Sequence, residues 1–330
     1  MPTPDFLLIG APKSGTTALH VALSRHPALC LSSTKEPKYF LTDGPPPSGG
    51  GPGDAETYRE YVWQREQYEA LWSHAEPGQL RGESTTLYLA DHAAHRRIRA
   101  QVPHAKLVAV LRDPVDRAHS NWSHLRSAGL EPVGDFPRAC MLGDSRAEQG
   151  WGPFWRYLQI GRYGEQLEHL YTQFDREQVL VLLYRDLREE PTKTLDRVCE
   201  FLGVETGLVD EVPAENVTAH VDDGIVNTAL HRAVQGVEAL GSVAPAPLRR
   251  AATSAAVKLL QREQQTRPTL ALEERALLLP HFYEDIALLE KVLGRPFDHW
   301  RDLDNGSTRR SLDINGRFGT GFTSIDRPRS

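Results

Sequence analysis

The chain of 330 residues is long enough for one large α/β domain, and its 40 % apolar and 25 % charged content suits a protein with a buried core. A formal net charge of −6 argues against a global nucleic-acid binder, so any anion site has to be local. Three scattered cysteines (Cys30, Cys140 and Cys199) form neither a CxxC pair nor a ligand-like spacing with histidine, so no metal is expected and the thiols read as reduced and buried.

In chain order, Phe6 to Ile9 is a short apolar run that predicts a buried strand. The first residues hold no basic stretch and no run long enough for a signal peptide, and no other stretch reaches ~18 apolar residues. A cytoplasmic protein without an integral membrane segment is the expectation. Gly10 to Thr17 forms a turn, after which Ala18, Leu19, Ala22 and Leu23 recur at helical spacing until Pro27. Residues 44–54 (GPPPSGGGPGD) predict a flexible loop, a mobile lid or a tolerated insertion. Tyr58 to Ser73 carries aromatic and charged residues at helical spacing.

Leu107 to Leu111 and Val179 to Leu183 predict two further buried strands. Pro114 suits a first helical position after the former, and a helix from about Pro191 to Leu202, closed by Gly203, follows the latter. Continuous apolar strands alternating with helices imply an α/β, P-loop-like three-layer sandwich, with a central mainly parallel sheet flanked by helices. Residues 218–268 are Ala-rich and read as helical. Leu272, Ala276, Leu279, Phe282, Ile286, Leu289 and Leu293 make a helical stripe kinked at Pro280. One domain over 1–303 and a disordered tail over 304–330 are expected.

The turn Gly10-Ala-Pro-Lys-Ser-Gly-Thr-Thr17 leaves a strand and opens a helix, where backbone N–H groups and the positive helix end favour an anion. It nearly fits G-x-x-x-x-G-K-[ST], but Thr16 stands at the lysine position and the lysine sits earlier, at Lys13. The strand ending at Leu111 delivers Arg112-Asp113, a cation where a nucleotide triphosphatase would hold metal. Arg112 therefore sits at a strand's carboxyl end with a fork suited to phosphate, and Ser120, about two helical turns on, adds a hydroxyl. A salt-bridged Arg112 with a surface Ser120 is the plain alternative. Two anion sites on one sheet suit a nucleotide with phosphates at both ribose ends.

Together, Pro12-Lys-Ser-Gly-Thr-Thr17, Arg112-Asp-Pro…Arg117…Ser120 and Lys35-Glu-Pro-Lys-Tyr-Phe40 resemble the sulfotransferases that use 3′-phosphoadenosine 5′-phosphosulfate (PAPS), in particular the bacterial and heparan-sulfate type. The resemblance runs from about residue 5 to 205 and resumes over about 268–300, where Leu293-Gly-Arg-Pro-Phe-Asp-His-Trp300 is similar to the family's closing segment. It implies a metal-free reaction with PAPS as donor. Lys13, Ser14, Gly15, Thr16 and Thr17 would hold the 5′-phosphosulfate, Arg112 and Ser120 the 3′-phosphate, and Glu36 would be the general base. Glu83-Ser-Thr-Thr-Leu-Tyr88 is similar to a Glu-Lys-Thr-Pro-x-Tyr motif of that branch, with Ser84 for the lysine and Thr86 for the proline. Arg232, Arg249 and Arg250 are possible substitutes for its basic loop near the 3′-phosphate.

Glu36 paired with Lys35 or Lys38 as a surface charge stays open on the sequence. His92, His95, His119 and His124 are weaker bases, since histidine titrates near neutral pH. Trp151, Phe154, Trp155 and Tyr157 either line an acceptor pocket or pack a helix on the sheet. The acceptor is expected to be a glycan or small molecule. A P-loop kinase or nucleotide triphosphatase, and a non-catalytic adenosine 3′,5′-bisphosphate-binding protein, are the competing classes.

Overall fold

The computed structural model describes residues 3–209 and 269–304. The expected helices of 218–268 lie outside the described residues, with Arg232, Arg249, Arg250 and nearly all of the expected tail.

Five strands form the sheet: β1 (Phe6–Gly10), β2 (Leu29–Leu31), β3 (Leu80–Ser84), β4 (Lys106–Leu111) and β5 (Val179–Leu183), in the order β2-β3-β1-β4-β5 and all parallel. The expected parallel sheet is borne out, and its register pairs Leu8 with Ser84 and with Val108, and Leu111 with Leu183. The helices, in chain order, are α1 (Thr16–Leu23), α2 (Asp54–Arg59), α3 (Arg65–Glu69), α4 (His92–Gln101), α5 (Pro114–Ser127), α6 (Phe136–Met141), α7 (Gly143–Glu148), α8 (Tyr163–Leu170), α9 (Tyr184–Glu189), α10 (Pro191–Leu202), α11 (Leu272–Leu278) and α12 (Tyr283–Leu293).

Alternation along the strands divides the core in two. Leu7, Ile9, Leu107, Ala109 and Leu111 face one cluster, which α5, α8 and α12 complete with Val115, Leu167 and Leu289. Phe6, Leu8, Val108, Val110 and Leu182 face the other, with Leu19 of α1 and Leu195 of α10. Burial on both faces is why β1, β4 and β5 read as continuous apolar runs.

The punctuation residues act as their chemistry demands. Pro114 opens α5 behind the Asp113 cap, whose Oδ1 accepts from the N–H groups of Val115 and Asp116 at 3.0 Å each. Gly203, at φ 84°, closes α10. Pro280 sits in a 3₁₀ turn, Leu279–Phe282, that separates α11 from α12, so the expected kink is a break between two helices.

The C-terminal pair is tied to the centre of the fold. Asp285 accepts from the N–H groups of Gly164 and Glu165 at 2.9 Å each, at the start of α8. Arg275 of α11 donates to both carboxylate oxygens of Asp113, at 2.9 and 2.7 Å, and lies 3.6 Å from Asp116.

A histidine cluster lies between α4 and α8. His92 and His169 stack with ring centroids 3.9 Å apart, and the Nδ1 atoms of His95 and His169 are 2.9 Å apart. His95 Nε2 donates to the Leu89 carbonyl, which leaves the Nδ1 of a neutral His95 ring to accept from His169. Burial, then the neighbouring His169 and His92, lowers His95 to about 3. The folded value lies below the unfolded one, so this stability is present above the unfolded value and declines as pH falls toward the folded one. Between pH 7 and about pH 5 the loss should be about 2 kcal/mol. Thermal melts at fixed ionic strength should show the wild type losing melting temperature over that interval faster than His95→Gln. Parallel curves would contradict the assignment.

Candidate active site

The chain places β3 on one side of β1 and β4 on the other, so connections leave the sheet in opposite directions at β1 and β4. Open parallel sheets bind ligands in the crevice at such a point, beyond the strands' carboxyl ends. A cavity of about 770 Å³ lies here, lined by Lys13, Gly15, Thr16 and Thr17 from the β1–α1 turn and by Arg112 and Ser120 from β4 and α5. Glu36 and Thr86 line it as well. The two expected anion positions and the expected base thus share one space.

The turn after β1 is shaped by its own backbone. Ala11 N–H donates to the Val110 carbonyl at 2.9 Å, which holds the turn against β4. Gly15 has φ 82°, and a Cβ there would meet Leu187 and Tyr184 at 3.1 Å. Lys13, Glu36 and Lys38 have φ of 65°, 59° and 62°, and they are the non-glycine residues with positive φ among the described residues. All three line the cavity. Such conformations cost about 1–3 kcal/mol each and persist where the surroundings over-determine them, often at functional sites.

Arg112 spans the two anion positions. Its Nη1 donates to the Lys13 carbonyl at 3.0 Å, and its guanidinium lies 4.8 Å from the Tyr184 ring centroid. The carboxylate next to it, Asp113, is engaged by Arg275 instead. Ser120 is 3 % exposed and faces the cavity, so it is no ordinary surface hydroxyl. Ser14 is the departure: it is fully buried, does not line the cavity, and its Oγ has no hydrogen-bond partner among the described residues.

Glu36 is fixed from three directions. Thr86 donates its N–H to Oε2 and its hydroxyl to Oε1, both at 3.0 Å, and Lys35 Nζ donates to Oε1 at 3.0 Å. Glu36 N–H donates to the Ser84 carbonyl at 2.8 Å. Lys38 pairs with Glu60 at 3.1 Å, which leaves Lys35 as the lysine partner. Thr86, standing where the resembling motif has proline, is what aims the carboxylate.

Behind Glu36 a buried network sets the frame. Glu83 is fully buried, accepts from Thr85 Oγ1 at 2.7 Å and from the Tyr68 hydroxyl, and is raised to about 7 by burial. Thr85 Oγ1 accepts from Lys38 N–H at 3.1 Å and Tyr88 OH from Phe40 N–H at 3.1 Å. The Glu83–Tyr88 segment therefore positions the Glu36–Phe40 loop. Ser84, in the lysine position of the resembling motif, lies 2.8 Å from His20 Nδ1. Burial, then Lys35, lowers His20 to about 4.

Of the four histidines considered, His124 alone lines the cavity. His119 packs on Trp122 and Phe136, while His92 and His95 belong to the remote cluster. Phe154 and Trp155 line the cavity as well, but Trp151 packs beside Arg146 and Tyr157 is buried with its hydroxyl donating to Glu131 at 2.5 Å. Tyr58 and Tyr61 of the α2 region line this side of the cavity and carry no signal in the sequence beyond helical spacing.

Asp54 anchors the end of the Gly-rich segment to this wall. Its carboxylate accepts from Gly51 N–H at 2.6 Å, Gly152 N–H at 2.7 Å and Trp155 Nε1 at 2.9 Å. Among the described residues no group of three or more His, Cys, Asp or Glu could hold a metal ion, and no helix is long and apolar enough to cross a membrane.

A parallel α/β sheet with a phosphate-type turn at its switch point, a second cation one strand over and a fixed carboxylate define a P-loop-like group-transfer fold. The sulfotransferase domain family matches residues 3–227, well over half of the chain, and the chain belongs to that family. It is 31 % identical over 214 residues to bifunctional heparan sulfate N-deacetylase/N-sulfotransferase 1 of Mus musculus, a match covering 63 % of this chain and 23 % of that protein. It is 29 % identical over 213 residues to heparan sulfate glucosamine 3-O-sulfotransferase 6 of Homo sapiens, covering 63 % of this chain and 54 % of that one. The chain thus spans between about a quarter and about half of the length of these relatives. The crystal structure of a sulfotransferase from Alicyclobacillus acidocaldarius matches with a TM-score of 0.71 at 25 % identity, covering 92 % of this chain and 100 % of that one.

Proposed function

We propose that this protein transfers a sulfonyl group from PAPS to a hydroxyl or amine of a glycan or small-molecule acceptor, with Glu36 as general base. The observation that carries the reading is the single cavity in which the Lys13 turn and Arg112 meet through a 3.0 Å hydrogen bond, with Glu36 on its wall. The turn fits a phosphosulfate: a lysine at its centre, Gly15 allowing close approach, and the start of α1 aimed at the space. Arg112 and Ser120 serve the 3′-phosphate of the same nucleotide.

The chemistry divides among these side chains. Glu36 takes the acceptor's proton as the acceptor oxygen or nitrogen bonds to sulfur. The bond between sulfur and the bridging oxygen breaks in line, and its electron pair stays on the 5′-phosphate, where Lys13 stabilises the developing charge. Tyr58, Tyr61 and Phe154 offer the acceptor an aromatic wall.

A thermal-shift titration separates this reading from its competitors. Adenosine 3′,5′-bisphosphate should raise the melting temperature, ATP with Mg²⁺ should do so far less, and Lys13→Ala should lose most of the shift. Labelled PAPS should then pass its label to members of a panel of glycans and small alcohols. A preference for ATP with Mg²⁺ would favour a kinase, and bisphosphate binding without transfer to any acceptor would favour a silent binding protein.

A further inference from the structure

Three arginines of the described residues are almost completely buried, and two of them obey the usual rule that a buried charge is paired. Arg146 donates to both carboxylate oxygens of Glu131, at 2.9 and 2.6 Å. Arg275 donates to both oxygens of Asp113. Arg117 is the exception. It is 0 % exposed, its Nη1 donates to Asn121 Oδ1 at 3.1 Å and its Nη2 to the Tyr157 carbonyl at 2.5 Å, and both acceptors are neutral. Its Nε has no hydrogen-bond partner and its charge no ion-pair partner among the described residues.

A buried cation without a counter-charge is costly. Hydrogen bonds to Asn121 and Tyr157 satisfy part of the guanidinium but not its charge. The place of the residue supplies a reason for the charge. Arg117 lies on α5 three residues before Ser120 and four before Asn121, so it shares a helix face with both. Ser120 forms the wall of the cavity at that point. The electrostatic surroundings of Arg117 are led by burial, then by Tyr163 and Cys140, and they include the like charge of Arg112. Arg112 lines the cavity, and Arg117, which does not, shares a face of α5 with Ser120, which does.

We infer that Arg117 is a positioning residue for the nucleotide, a buried positive charge left unpaired so that the ligand's 3′-phosphate is its counter-ion across the Ser120 wall. This rests on the reading of the cavity as a bisphosphate site. Because the charge sits in protein rather than water, its attraction is weakly screened and already oriented before the ligand arrives. A residue that only staples α5 to the Tyr157 segment would have no such effect.

Isothermal titration of adenosine 3′,5′-bisphosphate and of AMP, which lacks the 3′-phosphate, tests the inference on wild type, Arg117→Met, Arg117→Gln and Arg117→Lys, with ligand-free melts of each. Arg117→Met should fold, with a lower melting temperature because Asn121 Oδ1 and the Tyr157 carbonyl lose their donor, and bind the bisphosphate roughly 10- to 100-fold more weakly, with AMP affinity little changed. Arg117→Lys should recover most of the lost affinity and Arg117→Gln should not. If Arg117→Met does not fold, the Lys and Gln pair still decides, since they differ in charge. Equal bisphosphate affinity in those two variants, or an equal loss for AMP and bisphosphate, overturns the inference. A wild type that ignores the bisphosphate removes the cavity reading beneath it, a result distinguishable from either.

Discussion

Replacing Glu36 by glutamine should lower turnover by about 10²- to 10⁴-fold while the thermal shift produced by adenosine 3′,5′-bisphosphate stays as in the wild type. The size follows from the role. Glu36 would accept a proton in the transition state and touch neither phosphate, so its loss removes an interaction made only during reaction. The substitution keeps shape and size, and an amide oxygen can still accept from Thr86, whose N–H and hydroxyl both lie 3.0 Å from the carboxylate. The amide cannot take the acceptor's proton, and its NH₂ group would oppose the Lys35 ammonium 3.0 Å away. Both kcat and kcat/KM for the acceptor should fall together. Single-turnover measurements with labelled PAPS check this, and a variant that keeps most of its activity assigns the proton transfer elsewhere.

How much of this arrangement was readable in the sequence depended on where each residue's partners lie. Strands β1, β4 and β5 were legible because burial on both faces demands unbroken apolar runs. Strand β3 was not. Its sequence, Leu80-Arg-Gly-Glu-Ser84, looks like a loop, yet Glu83 is buried because Tyr68 and Thr85 satisfy it, and Gly82 is required because a Cβ would run into the Phe6 ring. Strand β2 spans only Leu29–Leu31, too short to give a pattern.

The site divides in the same way. Lys13, Gly15, Thr16, Thr17 and Arg112 follow directly from strand ends, so local reading placed them at the cavity, whereas helical spacing carried Ser120 and the family resemblance carried Glu36. Ser14 came with the Lys13–Thr17 motif of the family resemblance, but its side chain is fully buried and does not line the cavity. The Asp54 anchor joins residues about 100 apart in the chain, as the bonds to Gly152 and Trp155 show, and no local periodicity encodes such a contact. Arg117 was visible as a motif member, but that no carboxylate pairs with it among the described residues is a property of the folded environment.

Arg275→Ala should destabilise the protein by about 3–5 kcal/mol and weaken bisphosphate binding, although Arg275 does not line the cavity. The argument starts at Asp113, which caps α5 and is 7 % exposed. Its carboxylate meets the Arg275 guanidinium at both oxygens, and Arg275 also donates to the carbonyls of Asp302 and Trp300 at 2.8 and 3.0 Å. One side chain therefore binds the C-terminal segment to the residue that follows Arg112. Truncation takes from a buried carboxylate the cation that meets both its oxygens, and from two carbonyls their donor. The double variant Arg275→Met with Asp113→Asn removes the charge on both sides, and the cap survives because asparagine also accepts from the α5 N–H groups. It should regain much of the stability lost by Arg275→Ala. Urea titrations of Arg275→Met, of Asp113→Asn and of the double variant give the coupling directly. If Arg275→Ala costs less than about 1 kcal/mol, the pair is not the clamp that its geometry describes, and the orientation of Arg112 must come from the Lys13 carbonyl and Tyr184 alone.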